Sequence, residues 1–139
     1  MKKKVLFICT HNSARSQMAE GYMNAKYGGR YEVFSGGTEP GQVHPLAIAV
    51  MKEIGIDISG HRSKLIDEFF GKGIETVVTV CDSAQKACPF FPGATEEIHQ
   101  GFPDPAAFTG TDEEIRAGFR RVRDEITPWI DKTFGSESP

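Results

Sequence analysis

A short apolar run that leads through a polar loop into a helical pattern is the feature that most constrains the fold of this chain. Val5–Ile8 is apolar, with β-branched and aromatic members, which is typical of a strand buried on both faces of a sheet. From Arg15 onward apolar residues recur at helical spacing, until Gly28 and Gly29 end the pattern. The chain therefore opens with a buried strand, a loop and a helix, in that order.

Strand and helix patterns continue to alternate along the chain. Further strands are predicted at Glu32–Phe34, Ile74–Val80 and Glu97–His99, and further helices at Pro45–Ile54, Ser63–Phe70 and Thr111–Asp131. Gly36 and Gly37 should end the second strand, and Pro128 should kink the last helix or divide off its final turn. The alternation predicts an α/β fold, a single-domain parallel sheet of about four strands with helices on both faces, in which ligands bind beyond the carboxyl ends of the strands.

Length, charge and cysteine count narrow the classes of function. The 139 residues fit one domain, which we expect to span residues 1–134 with a frayed tail at 135–139. A net charge of −3 argues against non-specific nucleic-acid binding, and no apolar run approaches the roughly 20 residues of a membrane span. Three cysteines are a poor disulfide framework for a secreted protein. We therefore expect a cytoplasmic monomer whose cysteines are buried, metal-binding or redox-active.

The strongest local signal is the segment Cys9–Ser16, which joins the first strand to the first helix. Consecutive backbone N–H groups in such a loop can converge on an anion, and the positive N-terminal end of the helix adds to the attraction. The Arg15 guanidinium can bind two oxygens of an oxyanion, and the Cys9 thiolate should be stabilised at the rim of this site, with Ser16 as hydrogen-bond donor. The oxyanion-binding residues predicted in this way are Thr10, His11, Asn12, Ser13, Ala14 and Arg15.

The loop also carries a family resemblance. Cys9, five intervening residues, Arg15 and Ser16 after a first strand resemble the phosphate-binding loop of the low-molecular-weight protein tyrosine phosphatases. The stretch CTHNSARSQMAE, which ends at Glu20, is more similar to the thioredoxin-coupled arsenate reductases that share this fold. The resemblance continues at 35–37, 57–59, 77–81, 104–105 and 121–126, and so extends over nearly the whole chain.

The resemblance implies a general acid near the end of the sheet. Asp104 precedes Pro105, a pair that alone is typical of a turn but that matches the family's Asp-Pro element. A carboxyl group beside a bound dianion is favoured in its protonated form and can give its proton to a leaving oxygen. Phosphatases of this fold usually continue with an aromatic residue, whereas Ala106 stands here. This departure disfavours a phosphotyrosine substrate and suits a small inorganic one.

The other two cysteines are Cys81, which follows a predicted strand, and Cys88. By spacing alone they could be packing residues, and they are too far apart for a compact zinc knuckle. The resemblance implies a relay in which Cys9 attacks arsenate, Cys81 attacks the Cys9 sulfur and releases arsenite, and Cys88 then forms a disulfide with Cys81 that thioredoxin reduces. The catalytic residues implied in this way are Cys9, Arg15, Ser16, Cys81, Cys88 and Asp104.

We expect no metal site and no cofactor. None of the four histidines is spaced as part of a metal-binding pair, although His11 could tune the charge of the anion loop. Some members of the similar family hold a potassium ion with residues that match Asn12, Glu20 and Ser35, together with an acid further along the chain. Lys64 stands at the matching position here. Its ammonium group should pair with Glu20 and make activity independent of potassium.

Three functions are compatible with these residues. The first is thioredoxin-coupled arsenate reduction, which the resemblance favours. The second is hydrolysis of phosphate monoesters through a phosphocysteine, which needs the loop and Asp104 but neither Cys81 nor Cys88. The third is a non-catalytic oxyanion or thiol sensor. Because arsenate and phosphate share charge and shape, residual phosphatase activity could accompany arsenate reduction.

Overall fold

The computed structural model describes residues 2–81 and 93–135. Its four strands are Lys3–Cys9 (β1), Tyr31–Gly37 (β2), Thr76–Thr79 (β3) and Glu96–His99 (β4). Its α-helices are Arg15–Tyr27 (α1), Pro45–Lys52 (α2) and Asp112–Phe134 (α3), and two 3-10 helices lie at Ile66–Phe69 and Pro105–Ala107.

The strands form one parallel sheet in the order β2-β1-β3-β4. In the central strand β1, Cys9 lies beside Gly37 of β2, and Ile8 lies beside Thr79 of β3. The residues of β1 from Val5 onward are buried, as expected for a strand that is covered on both faces. Because all strands run in the same direction, their carboxyl ends meet at one edge, and Cys9 lies near the middle of that edge.

Helices cover both faces of the sheet. On one face the Phe7 ring of β1 meets the Phe134 ring of α3 edge to face, with 6.3 Å between the ring centroids. On the other face the 3-10 helix Ile66–Phe69 packs closely against β2, since a Cβ added to Gly36 would lie 3.3 Å from the Phe69 ring. The predicted fold class is confirmed.

Two predicted boundaries are wrong because backbone groups bind elsewhere. Gly36 and Gly37 do not end the second strand but belong to it, and the Gly37 N–H donates to the Lys64 carbonyl over 2.7 Å. The helix predicted at Ser63–Phe70 is only a short 3-10 helix. Its expected first turn is lost since the Lys64 carbonyl binds Gly37 and the Lys64 N–H donates to the Asn12 side chain.

Pro128 divides no final turn from α3, which continues to Phe134. A proline deprives the carbonyl four residues earlier of its helical partner. That residue is Asp124, and both it and Pro128 are exposed, so water can satisfy the carbonyl. On the opposite side Ile126 and Ile130 are fully buried in the hydrophobic core, which holds the helix in place.

The remaining differences concern the ends of elements. β3 is shorter than the predicted strand Ile74–Val80, and α2 ends two residues early, at Lys52.

At the start of α3, the Thr111 hydroxyl accepts from the Glu114 N–H and the Glu114 carboxylate accepts from the Thr111 N–H, each over 3.1 Å. Within the described ranges, no helix is long and apolar enough to cross a membrane.

Candidate active site

The Cys9 side chain lies at the carboxyl end of β1 and is almost fully buried. Its Sγ is 2.9 Å from the Ser16 Oγ, at the start of α1. The same Ser16 oxygen accepts a hydrogen bond from Asn12 Nδ2 over 2.8 Å. The hydroxyl hydrogen of Ser16 is therefore left to donate to the Cys9 sulfur, which stabilises the thiolate.

The backbone of the loop between β1 and α1 turns its N–H groups inward. The carbonyls of Thr10, His11 and Ser13 accept from backbone N–H groups of segment 39–44, over 2.8 to 3.1 Å. Since the C=O and N–H of one trans peptide point in opposite directions, the neighbouring N–H groups face the interior of the loop. Ala14, at the N-cap of α1, has no side-chain acceptor, so the first amide groups of the helix are left for a ligand.

The Asn12 side chain connects this loop to two neighbouring segments. Asn12 is fully buried and has a φ of 49°, a left-handed conformation that asparagine tolerates better than most residues. Its Oδ1 accepts from the Lys64 N–H and from Gln17 Nε2, each over 2.9 Å. The loop is thus tied to α1 and to the segment before the 3-10 helix.

The Arg15 guanidinium faces the same edge of the sheet with part of its hydrogen-bonding capacity unused. Nη1 donates to the Phe102 carbonyl over 3.2 Å, and Nη2 lies 3.6 Å from Asp104 Oδ2. Nε is buried and has no hydrogen-bond partner among the described residues. An unsatisfied buried donor costs about 1–3 kcal/mol. A bound oxyanion that accepts from Nε would remove this cost.

Asp104 is held between the second 3-10 helix and Arg15. Its Oδ1 accepts from the Ala106 N–H over 3.0 Å, and its other oxygen faces the guanidinium. An oxyanion bound to Arg15 would replace Asp104 as the partner of the guanidinium. It would also bring a second negative charge close to the Asp104 carboxylate. Both changes favour the protonated carboxyl group, which is the form that can donate a proton.

Two cavities at this edge share the lining residues His11, Arg15 and Asp104. The smaller has a volume of about 220 Å³ and is also lined by Cys9. The larger, of about 680 Å³, is also lined by Cys81. An anion bound by Arg15 could therefore be reached from the cavity that Cys9 lines and from the cavity that Cys81 lines.

The structure brings five of the six predicted catalytic residues to this edge: Cys9, Arg15, Ser16, Cys81 and Asp104. Cys81 is buried, and its Sγ lies 3.3 Å from the Thr10 Oγ1. Cys88 lies outside the described residues.

His44 supports the loop as a neutral side chain. Burial lowers its pKa, against the opposing effect of the nearby Asp104 charge. The His44 Nδ1 accepts from the Leu46 N–H over 3.1 Å and so caps α2, while its ring packs on Phe119 with 4.6 Å between centroids. The backbone N–H of His44 donates to the Ser13 carbonyl, so the fixed histidine also holds the anion loop.

Lys64 and Glu20 form the expected ion pair behind the loop. The Lys64 Nζ lies 3.6 Å from Glu20 Oε1, and the Ser35 hydroxyl donates to the same carboxylate. In the part of the chain that the structure describes, no group of three or more His, Cys, Asp or Glu side chains is arranged to hold a metal ion.

Sequence reasoning missed Gln17 and His61. Gln17 is fully buried, and its Nε2 donates to Asn12 and to the Arg62 carbonyl. The Gln17 Oε1 lies 2.9 Å from His61 Nδ1. A single glutamine early in a helix reads as a solvated residue, and its only sequence signal was its position beside the anion loop.

This combination of loop, arginine and acid on a parallel sheet corresponds to a known family. Residues 4–135 match the family model of the low molecular weight phosphotyrosine protein phosphatases. The chain belongs to this family. The resemblance inferred from the sequence is thereby confirmed.

Several relatives within the family are arsenate reductases. The arsenate reductase of Halalkalibacterium halodurans is 50% identical over 133 residues, which are 96% of this chain and 95% of the relative. A solved structure of an arsenate reductase in the phosphate binding state is 36% identical, with a TM-score of 0.77 and coverage of 98% of this chain and 99% of that one. The thioredoxin-dependent arsenate reductase of Corynebacterium glutamicum is 27% identical, with a TM-score of 0.65 and coverage of 95% and 63%.

Proposed function

We propose that this protein reduces arsenate to arsenite and is regenerated by thioredoxin or a similar dithiol protein. The observation that carries the proposal is a second thiol, Cys81, in the cavity that Arg15 and Asp104 also line. Hydrolysis of a phosphate ester needs no thiol at that place. The relatives named arsenate reductase, at 50% and 36% identity, support the same choice.

In the first step, arsenate binds in the anion loop with Arg15 on two of its oxygens. The Cys9 thiolate forms a sulfur–arsenic bond while one arsenic–oxygen bond breaks. Asp104, released from its contact with the guanidinium, gives a proton to the leaving oxygen, which departs as water or hydroxide. Ser16 holds the thiolate before the attack through its hydrogen bond.

In the second step, the Cys81 thiolate attacks the Cys9 sulfur. A sulfur–sulfur bond forms, the sulfur–arsenic bond breaks, and its electron pair stays on arsenic, which leaves as arsenite. The two sulfurs supply the two electrons that reduce the arsenic. The Thr10 hydroxyl, 3.3 Å from the Cys81 sulfur, can donate to the attacking thiolate.

In the third step, Cys88 attacks Cys81, frees Cys9 and leaves a Cys81–Cys88 disulfide for the external dithiol. The role of Cys88 rests on the family resemblance, and the thioredoxin-dependent relative from Corynebacterium glutamicum supports the choice of reductant. The relay needs all of its thiols reduced at the start, and the reducing cytoplasm keeps thiols in that state. We expect the protein to act there as a monomer.

The test is arsenate-dependent NADPH consumption in the presence of thioredoxin and thioredoxin reductase. Wild-type protein should turn over many times, whereas Cys88→Ser should stop after about one turnover because the Cys9–Cys81 disulfide cannot be passed on. Both proteins should cleave an aryl phosphate at the same slow rate. Absence of arsenate turnover in the wild type would contradict the proposal.

Phosphate monoester hydrolysis is the second candidate, because Cys9, Arg15 and Asp104 would suffice for it. Ala106 lines the smaller cavity and offers no aromatic ring to a phosphotyrosine substrate. We therefore expect at most a weak phosphatase activity. Aryl phosphate cleavage without arsenate turnover would support the phosphatase, and silence in both assays would leave an oxyanion or thiol sensor.

A further inference from the structure

The Asp104 side chain stands on a short segment that has few anchors in the rest of the protein. Among residues 103–110, only Pro105 is buried, Asp104 and Phe108 are partly buried, and the others are exposed. The Ala107 N–H donates to the Asp104 carbonyl over 3.1 Å, and the Phe108 N–H donates to the Pro105 carbonyl over 3.2 Å. These two hydrogen bonds shape the second 3-10 helix, but they do not attach it to the sheet or to a neighbouring helix.

The Phe108 ring attaches the far end of this segment to α3. The ring packs on Gly118, where an added Cβ would lie 2.7 Å from the Cε2 atom of the ring and closer still to its Cδ2 atom. The Arg121 guanidinium, one helical turn further along α3, lies 5.5 Å from the ring centroid, within the range of a cation–π interaction. The ring is thus held by bare backbone at one position and by a charged side chain one turn later.

This contact also accounts for a glycine inside a helix. Glycine is less favourable than alanine in the interior of a helix, because it loses more conformational freedom on folding. Gly118 is nevertheless buried in α3, and any side chain at this position would displace the Phe108 ring. The glycine therefore lowers the intrinsic stability of the helix but permits close contact with the segment that carries Asp104.

We propose that Phe108 is a positioning residue that holds the Asp104 carboxyl group where it can give a proton to the leaving oxygen. The inference rests on the proposed role of Asp104 as general acid. Phe108 is absent from the described lining of both cavities, so it acts through the 3-10 helix rather than on the substrate. Without its ring the segment keeps only Pro105 as a buried anchor, and a reacting group that is displaced by about 1 Å can lose most of its effect.

The test measures arsenate reduction in a single turnover without reductant, followed by the loss of free thiols. Phe108→Ala should slow this reaction at least tenfold, whereas phosphate should bind with about the affinity of the wild type, because the anion loop is unchanged. Phe108→Leu keeps an apolar anchor and should restore most of the rate. Thr109→Ala changes the exposed neighbour of Phe108 and should leave both rate and affinity as they are.

A double-mutant cycle separates the positioning of Asp104 from general packing. In Asp104→Asn the acid is absent, so adding Phe108→Ala should cost little further rate. Gly118→Ala displaces the ring from the side of the helix and should slow the wild type as Phe108→Ala does. The double variant with Phe108→Ala and Gly118→Ala should be no slower than Phe108→Ala alone, because the ring that would clash is gone.

A loss of rate in the Asp104→Asn background as large as in the wild type would overturn the inference. A fall in phosphate affinity that matches the fall in rate would also overturn it, because the effect would then belong to the anion loop. The same cycle with phenyl phosphate as substrate is independent of the reductase assay. Coupling between Phe108 and Asp104 in that reaction, without arsenate turnover, would contradict the proposed function alone. A wild type that lacks both activities would overturn both proposals.

Discussion

At the scale of single residues, Lys64 supplies a fixed positive charge behind the anion loop. Its ammonium group lies 3.6 Å from the Glu20 carboxylate, and its backbone N–H donates to Asn12. The side chains of Lys64 and Glu20 are only 12% and 13% exposed, so salt screens their attraction weakly. The loop therefore has an internal cation on the side away from the substrate.

Activity should accordingly be the same in potassium and sodium buffers of equal ionic strength. Lys64→Gln leaves the Glu20 charge nearly buried without a cation, and we expect slower turnover that potassium partly restores. Initial rates in both salts check this prediction, with Lys52→Gln at the exposed end of α2 as a control. A marked stimulation of the wild type by potassium would contradict it.

Site residues that lie close together in the sequence could be predicted, whereas contacts between residues far apart in the sequence could not. Cys9, Arg15 and Ser16 lie close together in the sequence, where β1 leads into α1, and their chemistry points to an anion without any knowledge of the fold. Gln17 and His61 meet across 44 positions of sequence. Their contact depends on how the segment after α2 packs against α1, which no local pattern encodes.

At the scale of elements, the end of β2 and the anion loop fit together because Gly37 has no side chain. A Cβ at this position would lie 2.6 Å from the Thr10 carbonyl oxygen and 2.9 Å from the Asn12 backbone nitrogen. Both are backbone atoms, so they can retreat only if the loop moves. The sequence suggested that Gly37 ends a strand, but the glycine instead permits close contact between two elements.

Gly37→Ala should therefore damage the anion site more than the fold. We expect phosphate binding and arsenate turnover to fall at least tenfold, since a loop shift of about 1 Å can cost that much or more. Gly29→Ala is the matched control, because no atom lies within 4 Å of its added Cβ. Titration with phosphate and thermal unfolding of both variants test the prediction. Normal phosphate affinity in Gly37→Ala would disprove it.

At the scale of the whole molecule, a charge cluster joins α2 to α3. Glu53, just after α2, lies 2.9 Å from the Arg120 guanidinium and 2.8 Å from that of Arg123. Hydrogen bonds from Arg120, and then from Arg123, lower the pKa of Glu53 to about 2. The stabilisation from this carboxylate is present at neutral pH and is lost as the pH falls from about 4.5 toward 2.

Glu53→Gln should reduce the free energy of unfolding by about 1 kcal/mol at pH 7, as expected for partly exposed ion pairs. The difference from wild type should shrink as the pH is lowered, because the Glu53 carboxylate of the unfolded wild-type chain binds a proton below about pH 4.5 whereas that of the folded protein stays ionised. Urea unfolding of both proteins between pH 7 and pH 3 measures this convergence. Glu113→Gln, whose side chain is 75% exposed, should have a smaller effect. A constant difference across this range would refute the assignment.

The overall architecture was predictable in class but not in arrangement. Alternating strand and helix patterns predicted a parallel sheet, yet the order β2-β1-β3-β4 depends on distant pairs such as Val5 with Thr76. Pro128 shows the same limit, because its local tendency to interrupt a helix yields to the burial of Ile126 and Ile130.

The central position of β1 also has a consequence for the newly made protein. Phe102 and Asp104, which contact Arg15, and the Phe134 ring, which packs against Phe7 of β1, are synthesised more than 90 residues after Cys9. At roughly 5–20 residues per second, this interval lasts several seconds. We therefore expect the anion site to become complete only when the C-terminal third of the chain has packed against Arg15 and β1.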